Sequence, residues 1–342
     1  MKRYFFFAAT LLCLIQYQSA KAAGPTAIKD PITQSVNWTK ENSPYVIQND
    51  VTISKGAILT VEPGTEIQFA AQTSGNAGGG PNLIIQGALK AVGNATAPIM
   101  FNPSTPGAAW GAVYFYNADS ANSIMQACLI KGGRIVCNNS SPVITQSAIF
   151  GSKSGIEIGN NSQPQITGNR ITANGIGIIV LSDSASPIIT GNEIYNNNYG
   201  VYLKDFGTPQ ISANKIQGNL KYNMVNYSAK NLAVPNNSFG MTDAQMIMKT
   251  VYDGAFNSSL GRINWMPYVG MTQNQVAVTA APAQTNSAEQ PKVQESDLWS
   301  YGRPFDGMKL ANFDNTKKKP DSGIKLLAVG ATALLAVGLI FL

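Results

Sequence analysis

The sequence predicts an all-β solenoid in which short coils of about 22 residues stack along one axis. Three observations support this prediction. A unit of the form Pro-x-Ile-Thr/Ser occurs four times, at spacings of 22, 23 and 22 residues. Isoleucine follows each proline at two fixed distances. Asparagine or serine follows it at two others. The four units begin at Pro142, Pro164, Pro187 and Pro209.

The repeated columns assign a role to each position of a coil. β-Branched residues fill the interior of stacked strands. Asparagine tolerates tight corners, and its amide can bond a copy of itself in the next coil. The units therefore predict a parallel β-helix with two or three short strands per coil and coils about 4.8 Å apart. The interior columns are Ile144, Ile166, Ile189, Ile211 and Ile149, Ile171, Ile194, Ile216, and the corner columns are Ser147, Asn169, Asn192, Asn214 and Ser152, Asn174, Asn197, Asn219.

These units resemble the right-handed parallel β-helix repeats of the pectin-lyase-like superfamily, over about residues 35–270. The phrase from Tyr45 to Phe69 resembles the opening coils of many secreted β-helix proteins. The stretch from Asn236 to Tyr268 resembles their closing segment, although Ser238-Phe239 stands where that segment usually carries Trp. The resemblance implies the fold. It implies no single activity, because this superfamily includes lyases, hydrolases, epimerases and adhesins.

The N-terminal residues 1–22 have the pattern of a signal peptide. Lys2 and Arg3 precede an apolar run, and a small-x-small cleavage site ends at Ala22. An exported β-helix domain is predicted over residues 23–270, with regular repeats over 142–230 and a closing cap over 231–270. A Gly- and Ser-rich loop is predicted to protrude between Ala71 and Asn82.

The C-terminal third predicts three further elements. Thr242 to Gln245 has the spacing of a capping box with Gln in the place of Glu, which predicts a short helix through about Tyr252. Residues 271–323 lack periodicity and predict a flexible linker. Residues 324–342 predict a transmembrane helix, whose 17 uncharged residues from Leu326 are at the short end of a membrane span. The rival interpretation of this run is a cleaved sorting signal.

Composition excludes several function classes. The chain contains no histidine, which removes the commonest general base, the commonest metal ligand and every Ser-His-Asp or Cys-His site. Removal of Lys2, Arg3 and Lys21 with the signal peptide leaves 21 basic and 18 acidic residues, a net charge of +3. This small excess does not predict nucleic-acid binding. Cys128 and Cys137 remain either as a disulfide or as two thiols. The next coil places Cys128 outward with Arg170 and Cys137 inward, which favours two thiols.

One column offers candidate catalytic or metal-binding groups. Asp183 and Asp205 are 22 residues apart and are expected to stack about 4.8 Å apart. That distance suits a retaining glycosidase pair, with Lys204 as a nearby base, or a Ca²⁺ site together with Asn160. The alternative, which we favour, is that Asp and Asn occupy this column because both are common in turns before proline.

Two further columns concern the outer surface. Arg170, Glu193 and Lys215 predict a structural column of alternating charge. A second column, which follows Glu157, predicts an apolar and aromatic strip on a sheet face that could bind sugar rings or a partner, or lie under the linker. The candidate ligand-binding residues of that strip are Ile179, Tyr202 and Met224, extended by Tyr114, Tyr116 and Trp110.

Together these patterns predict a non-catalytic β-helix ectodomain. It is expected to be exported, anchored to a membrane, and located in the periplasm or on the cell surface. The expected partner is a polysaccharide or an envelope protein, and no cofactor is expected. The alternative is a polysaccharide lyase or glycoside hydrolase that uses Asp183 and Asp205, with Ca²⁺ as its candidate cofactor.

Overall fold

A computed structural model describes residues 24–71 and 80–271. It confirms an all-β parallel solenoid, in which the chain visits three long sheets in turn and every strand pairs in parallel with strands of the neighbouring coils. The predicted signal peptide, nearly all of the Gly/Ser-rich loop, the linker after Met271 and the predicted transmembrane helix lie outside the described residues. Within the part of the chain that is described, no helix is long and apolar enough to cross a membrane.

The strands form sheets A, B and C and one small pair. Sheet A contains Thr26–Ile28, Tyr45–Ile47, Glu66–Phe69, Ile99–Pro103, Cys128–Lys131, Ala148–Phe150, Arg170–Thr172, Glu193–Tyr195 and Lys215–Gln217. Sheet B contains Val51–Ile53, Leu83–Ile85, Ala112–Tyr116, Arg134–Asn138, Ser154–Ile158, Ile176–Leu181, Tyr199–Asp205, Tyr222–Asn226 and Val251–Tyr252. Sheet C contains Val36–Trp38, Ile58–Val61, Ala88–Val92, Ile124–Gln126, Val143–Thr145, Gln165–Thr167, Ile188–Thr190 and Gln210–Ser212. The small pair is Leu232–Ala233 with Ile263–Asn264, and the helical segments are Lys40–Asn42, Ser120–Asn122 and Ala244–Met248.

The core fills the inside of the coils. Alternate residues of each strand point inward, so that Ile156 and Ile158 are fully buried while Glu157 between them faces outward. The two predicted isoleucine columns line this interior, and each of their side chains is at most 2% exposed. The prediction of stacked interior columns is therefore confirmed.

Both predicted asparagine columns form hydrogen-bonded ladders. In the first, the Nδ2 atom of Asn169 donates to Asn192 Oδ1 at 3.0 Å, and Asn192 donates likewise to Asn214 at 2.9 Å. This ladder continues one coil further than predicted, to Asn237 at 3.0 Å. The second ladder joins Asn174, Asn197 and Asn219 at 3.1 and 3.0 Å. Each side chain also donates to a buried backbone carbonyl, so the ladders satisfy polar groups at the corners.

The predicted column of alternating charge is also present. Arg170 pairs in register with Glu193, and Glu193 pairs with Lys215. The shortest nitrogen–oxygen distances are 3.3 Å for Arg170–Glu193 and 3.8 Å for Lys215–Glu193. All three side chains are partly exposed to solvent, so each pair contributes at most about 1 kcal/mol.

The closing segment differs in detail from the predicted capping box. The helix Ala244–Met248 begins after Asp243, whose side chain accepts hydrogen bonds from the backbone amides of Gln245 and Met246. Asp243, and not Thr242, is therefore the N-cap. The helix ends at Met248 because Val251–Tyr252 rejoins sheet B beside Met224 and Val225. Its role as a cap for the last coil stays a prediction.

The helix buries Ala244 and Ile247 but leaves Met246 and Met248 exposed.

Cys128 and Cys137 are free thiols, and both are buried. Cys137 faces inward in register with Ile158, as predicted. Cys128 does not share the column of Arg170. Leu129 occupies that column, because it pairs with Ala148, which in turn pairs with Arg170. The backbone amide of Cys128 instead donates to Ser147 Oγ at 3.0 Å, which places Cys128 in the corner column. The prediction that Cys128 points outward was therefore wrong by one residue.

Candidate functional site

One outward column of sheet B contains three of the six predicted binding residues, Tyr114, Ile179 and Tyr202. We call it the outer strip. Its members occupy successive coils, and pairing in register joins each to the next. From the N-terminal coil onward they are Thr52, Ile84, Tyr114, Val136, Glu157, Ile179, Tyr202, Val225 and Tyr252. The predicted member Met224 is not among them, because it pairs with Val201 and faces the core.

Two accessible aromatic rings lie at the N-terminal part of the outer strip, one within it and one beside it. Tyr114 is partly exposed and Tyr116, two residues further along the same strand, is 38% exposed. Their ring centroids are 5.7 Å apart with an interplanar angle of 44°. Asn138 Nδ2 donates to the Tyr114 hydroxyl at 3.4 Å. Partial burial raises the pKa of Tyr114, so the ring remains a neutral phenol at physiological pH.

A charged cluster adjoins these tyrosines. Arg134 Nε lies 3.4 Å from Glu157 Oε1, and the two side chains are only 9% and 12% exposed. Ser154 Oγ donates a hydrogen bond to the same carboxylate oxygen. Burial, and secondarily the charge of Arg134, lowers the pKa of Lys153. Two cations and one carboxylate therefore lie together on the face of sheet B.

The C-terminal part of the outer strip is covered by other side chains. Tyr202 is only 1% exposed although it lies on the outer face of the sheet. Tyr199 meets its ring edge-on at a centroid distance of 6.0 Å, and Tyr227 stacks on it at 6.2 Å. Phe256 and Leu260, which follow the last strand of sheet B, pack against the same cluster. The expectation that Tyr202 offers an exposed ring was therefore wrong.

The comparison with known proteins agrees with this architecture. A family model described as a right handed beta helix region matches residues 108–245, which contain the most regular coils. The chain is a right-handed parallel β-helix repeat protein. Searches among curated proteins and among solved structures found no match. The family match specifies the fold of this β-helix and leaves its activity open.

Trp110 of the β-helix belongs to the core and not to the outer strip. It is 2% exposed and stacks on Phe69, with ring centroids 3.7 Å apart and an interplanar angle of 6°. Its Nε1 atom donates to the Lys131 carbonyl at 2.7 Å. The prediction that Trp110 extends the binding strip was therefore wrong. The sequence does not reveal that Trp110 is buried, because Trp110 precedes the strand Ala112–Tyr116 and lies outside its alternation of inward and outward residues.

The two candidate acids do not form the expected stacked pair. Asp205 is in register with Leu181, because Lys204 is the extra residue of a bulge in its strand. Asp183 follows Leu181 by two residues and lies exposed in the next turn. Asp205 instead binds Lys230 Nζ at 2.9 Å.

Burial alone would raise the pKa of Asp205. The hydrogen bonds from Lys230, the Phe206 amide and Ser228 outweigh it and hold this pKa below its ordinary value.

The suggested calcium site gains no support from this geometry. Asn160 is an exposed turn residue whose carbonyl accepts a hydrogen bond from the Asn139 amide at 2.7 Å. Among the described residues, no group of three or more Asp, Glu, Cys or His side chains is arranged to hold a metal ion. The candidate site of this β-helix is therefore the open part of the outer strip, from Thr52 to Ile179, in which Val136 alone is buried, together with Tyr116 and the charged cluster.

Proposed function

We propose that this β-helix binds a polysaccharide along the open part of the outer strip and does not cleave it. The observation that carries the proposal is the accessible pair of rings, Tyr114 and Tyr116, beside the cluster of Arg134, Lys153 and Glu157. Aromatic faces pack against the C–H groups of a sugar ring. Charged groups next to them form strong hydrogen bonds with sugar hydroxyl or acidic groups.

The geometry of the strip suits an elongated ligand. Its residues repeat once per coil, at about 4.8 Å along the axis of the solenoid. A sugar ring in an extended chain spans a length of the same order, so consecutive sugars would meet consecutive coils. A compact ligand would use only one or two of these positions.

Binding without cleavage is favoured by the state of the carboxylates. Glycoside hydrolysis requires two of them on opposite sides of the scissile bond. Glu157, the carboxylate of the strip, is held by Arg134 and Ser154, and Asp205 is engaged by Lys230.

A second candidate function is eliminative cleavage of an acidic polysaccharide. The lowered pKa of Lys153 beside Arg134 favours it, because such an amine is a better general base near neutral pH. In that reaction the Lys153 amine takes the proton next to the sugar carboxylate, the glycosidic C–O bond breaks, a double bond forms in the sugar, and the departing oxygen takes a proton from the resulting ammonium or from water.

The location of the protein forms part of the proposal. The signal-peptide pattern of residues 1–22 and the predicted transmembrane helix of residues 324–342 support an exported ectodomain that is anchored to a membrane. Such an ectodomain would meet glycans in the periplasm or on the cell surface. An envelope protein that occupies the same strip is the other expected partner.

A glycan array with the full chain tests the proposed function. We expect one class of polysaccharide to bind, and we expect Tyr114→Ala or Tyr116→Ala to weaken binding roughly tenfold, about 1.4 kcal/mol. The matched control is Tyr195→Ala, because Tyr195 is a partly exposed tyrosine on sheet A. Equal loss in all three variants, or binding to no glycan, would contradict the proposal.

The same samples are assayed for released unsaturated sugars. Product that disappears in Lys153→Ala would establish the eliminative alternative.

A further inference from the structure

We infer that the binding face is closed at its C-terminal end, so that the protein recognises the end of a glycan chain and not an internal stretch. The inference rests on the proposed function, whose site it describes more closely. It follows from the contrast between the open and covered parts of the outer strip. We call the covering side chains the aromatic wall: Tyr199, Tyr202, Tyr222, Tyr227, Tyr252, Phe256 and Leu260.

The open part has a definite length. From Thr52 to Ile179 the strip crosses six successive coils. Five steps of about 4.8 Å give roughly 24 Å, which accommodates about five pyranose units. Five of its six members are partly exposed, namely Thr52, Ile84, Tyr114, Glu157 and Ile179, and the short side chain of Val136 between Tyr114 and Glu157 is buried.

The aromatic wall begins one coil after Ile179. Tyr202 points away from the core, and its large ring is only 1% exposed because other rings pack against it at this coil. Tyr199 and Tyr227 supply them within the same and the next coil. Tyr222, Tyr252 and Phe256 continue the cover, with ring centroids 5.4 to 6.5 Å apart. A glycan lying on the strip would meet these rings end-on.

The loop behind the wall is tied to the body of the protein. Asp253 is 3% exposed, and its two carboxylate oxygens each accept a backbone amide at 2.7 Å, from Ala255 and from Ile263. Gly254 N donates to the Gly261 carbonyl at 3.0 Å, which closes the loop at its base. Asn226 Nδ2 donates to the same carbonyl at 2.9 Å. These bonds make the wall a fixed part of the face.

A wall across one end restricts what can bind. An internal stretch of polymer would have to leave the sheet at Ile179, and it would lose its contacts from that point onward. A chain end can fill all of the open coils and stop at the wall. The structure therefore favours one end of the glycan over its middle.

A length series tests this inference with the full chain. The probes are cello-oligosaccharides, chito-oligosaccharides and oligogalacturonides of two to ten sugars, measured by calorimetry. We expect the affinity for the series that binds to increase up to about five sugars and then to stay constant. A bulky label on one end of the pentamer should reduce binding at least tenfold, while the same label on the other end should not. Affinity that keeps rising to ten sugars, or equal binding of both labelled pentamers, would overturn the inference.

A wall variant separates this inference from the proposed function. Tyr227→Ala removes a partly buried side chain of the wall, and we expect it to let affinity grow beyond five sugars. Leu260→Ala is the second variant, in case the first fails to fold. If Tyr114→Ala weakens binding but no plateau with length appears in the native chain, the end-recognition inference fails and the proposed function stands. If no oligosaccharide binds, both fail.

Discussion

At the scale of single residues, the corner between sheets C and A depends on one residue with left-handed backbone geometry. Gly168 and Gly191 occupy it with φ of 63° and 66°, but Ala213 has the same conformation at 57°. The left-handed region costs an L-residue roughly 1–2 kcal/mol because Cβ approaches the carbonyl oxygen, whereas glycine adopts it freely. Ala213 is therefore strained, whereas Gly168 and Gly191 at the equivalent corners are not.

We expect Ala213→Gly to stabilise the protein by about 0.5–1 kcal/mol, since the relief of strain exceeds the added entropy of the unfolded chain. Denaturant unfolding measures the change. The matched control is Ala233→Gly, because Ala233 is also exposed but lies in a strand, where glycine should destabilise. A destabilising effect of Ala213→Gly would show that this corner is not strained.

Single insertions also explain why the acid pair was mispredicted. Counting from one proline to the next gave Asp183 and Asp205 the same position in successive coils. One extra residue, Lys204, shifts the register within the strand Tyr199–Asp205 and brings Asp205 opposite Leu181. Column arithmetic assumes equal numbers of residues between corners, and a bulge violates that assumption without a marker in the sequence.

At the scale of structural elements, the asparagine ladders hold the corners together. Asn192 is 1% exposed and sits in the middle of the first ladder. Its Nδ2 atom donates to the Ile166 carbonyl at 2.8 Å and to Asn214 at 2.9 Å. Its Oδ1 atom accepts from both the amide and the side chain of Asn169. One side chain thus satisfies buried polar groups of three consecutive coils.

We expect Asn192→Ala to destabilise the protein by at least about 3 kcal/mol, because each buried polar group left without a partner costs about 1–3 kcal/mol. Asn192→Ser should have an intermediate effect, since Ser147 occupies this column in the first coil and its hydroxyl oxygen accepts a backbone amide. Asn160→Ala, at an exposed turn, should change the free energy of unfolding by less than about 0.5 kcal/mol. Equal urea midpoints for the Asn192 and Asn160 variants would contradict the role of the ladder.

The ladders and the interior columns were predictable because each of their positions repeats once per coil. The same regularity predicted that Ile179 and Tyr202 share an outward column, which is confirmed. What covers that column was not predictable, because Phe256 and Leu260 come from a non-repeating segment about 50 residues later in the chain. The ion pair of Arg134 was missed for a related reason, since it joins a coil before the regular repeats to one within them.

At the scale of the whole molecule, the titrating groups set the pH range in which the fold is stable. The chain has no histidine to titrate near neutrality. Burial raises the pKa of Cys128 from 9.0 to about 12, and it also raises the pKa of Cys137. Burial likewise raises the pKa of Tyr114, Tyr222 and Tyr252 above 10.0. All five groups are neutral in the folded protein at physiological pH.

The sign of the resulting pH dependence follows from proton binding. Between its unfolded and folded pKa, such a group is protonated in the folded state and ionised in the unfolded state, so stability falls as pH rises. For Cys128 this window runs from 9.0 to about 12, and each pH unit within it costs about 1.4 kcal/mol. Lys153 acts in the opposite direction, because its lowered pKa means that stability recovers as pH rises towards 10.5. Tyr268, whose pKa burial also raises, brings the raised groups to six, and these outweigh one lowered lysine.

We therefore expect the urea midpoint of the full chain to be constant between about pH 6 and 8 and to fall steeply above about pH 9. Cys128→Ala and Cys137→Ala should each reduce the slope of this fall, whatever their effect at pH 7. Lys153→Met should make the fall steeper, because it removes the group whose contribution opposes it. A midpoint independent of pH between 8.5 and 11, or an unchanged slope in the double cysteine variant, would mean that the thiols ionise within the folded solenoid. The coils would then admit water where the structure places a closed core.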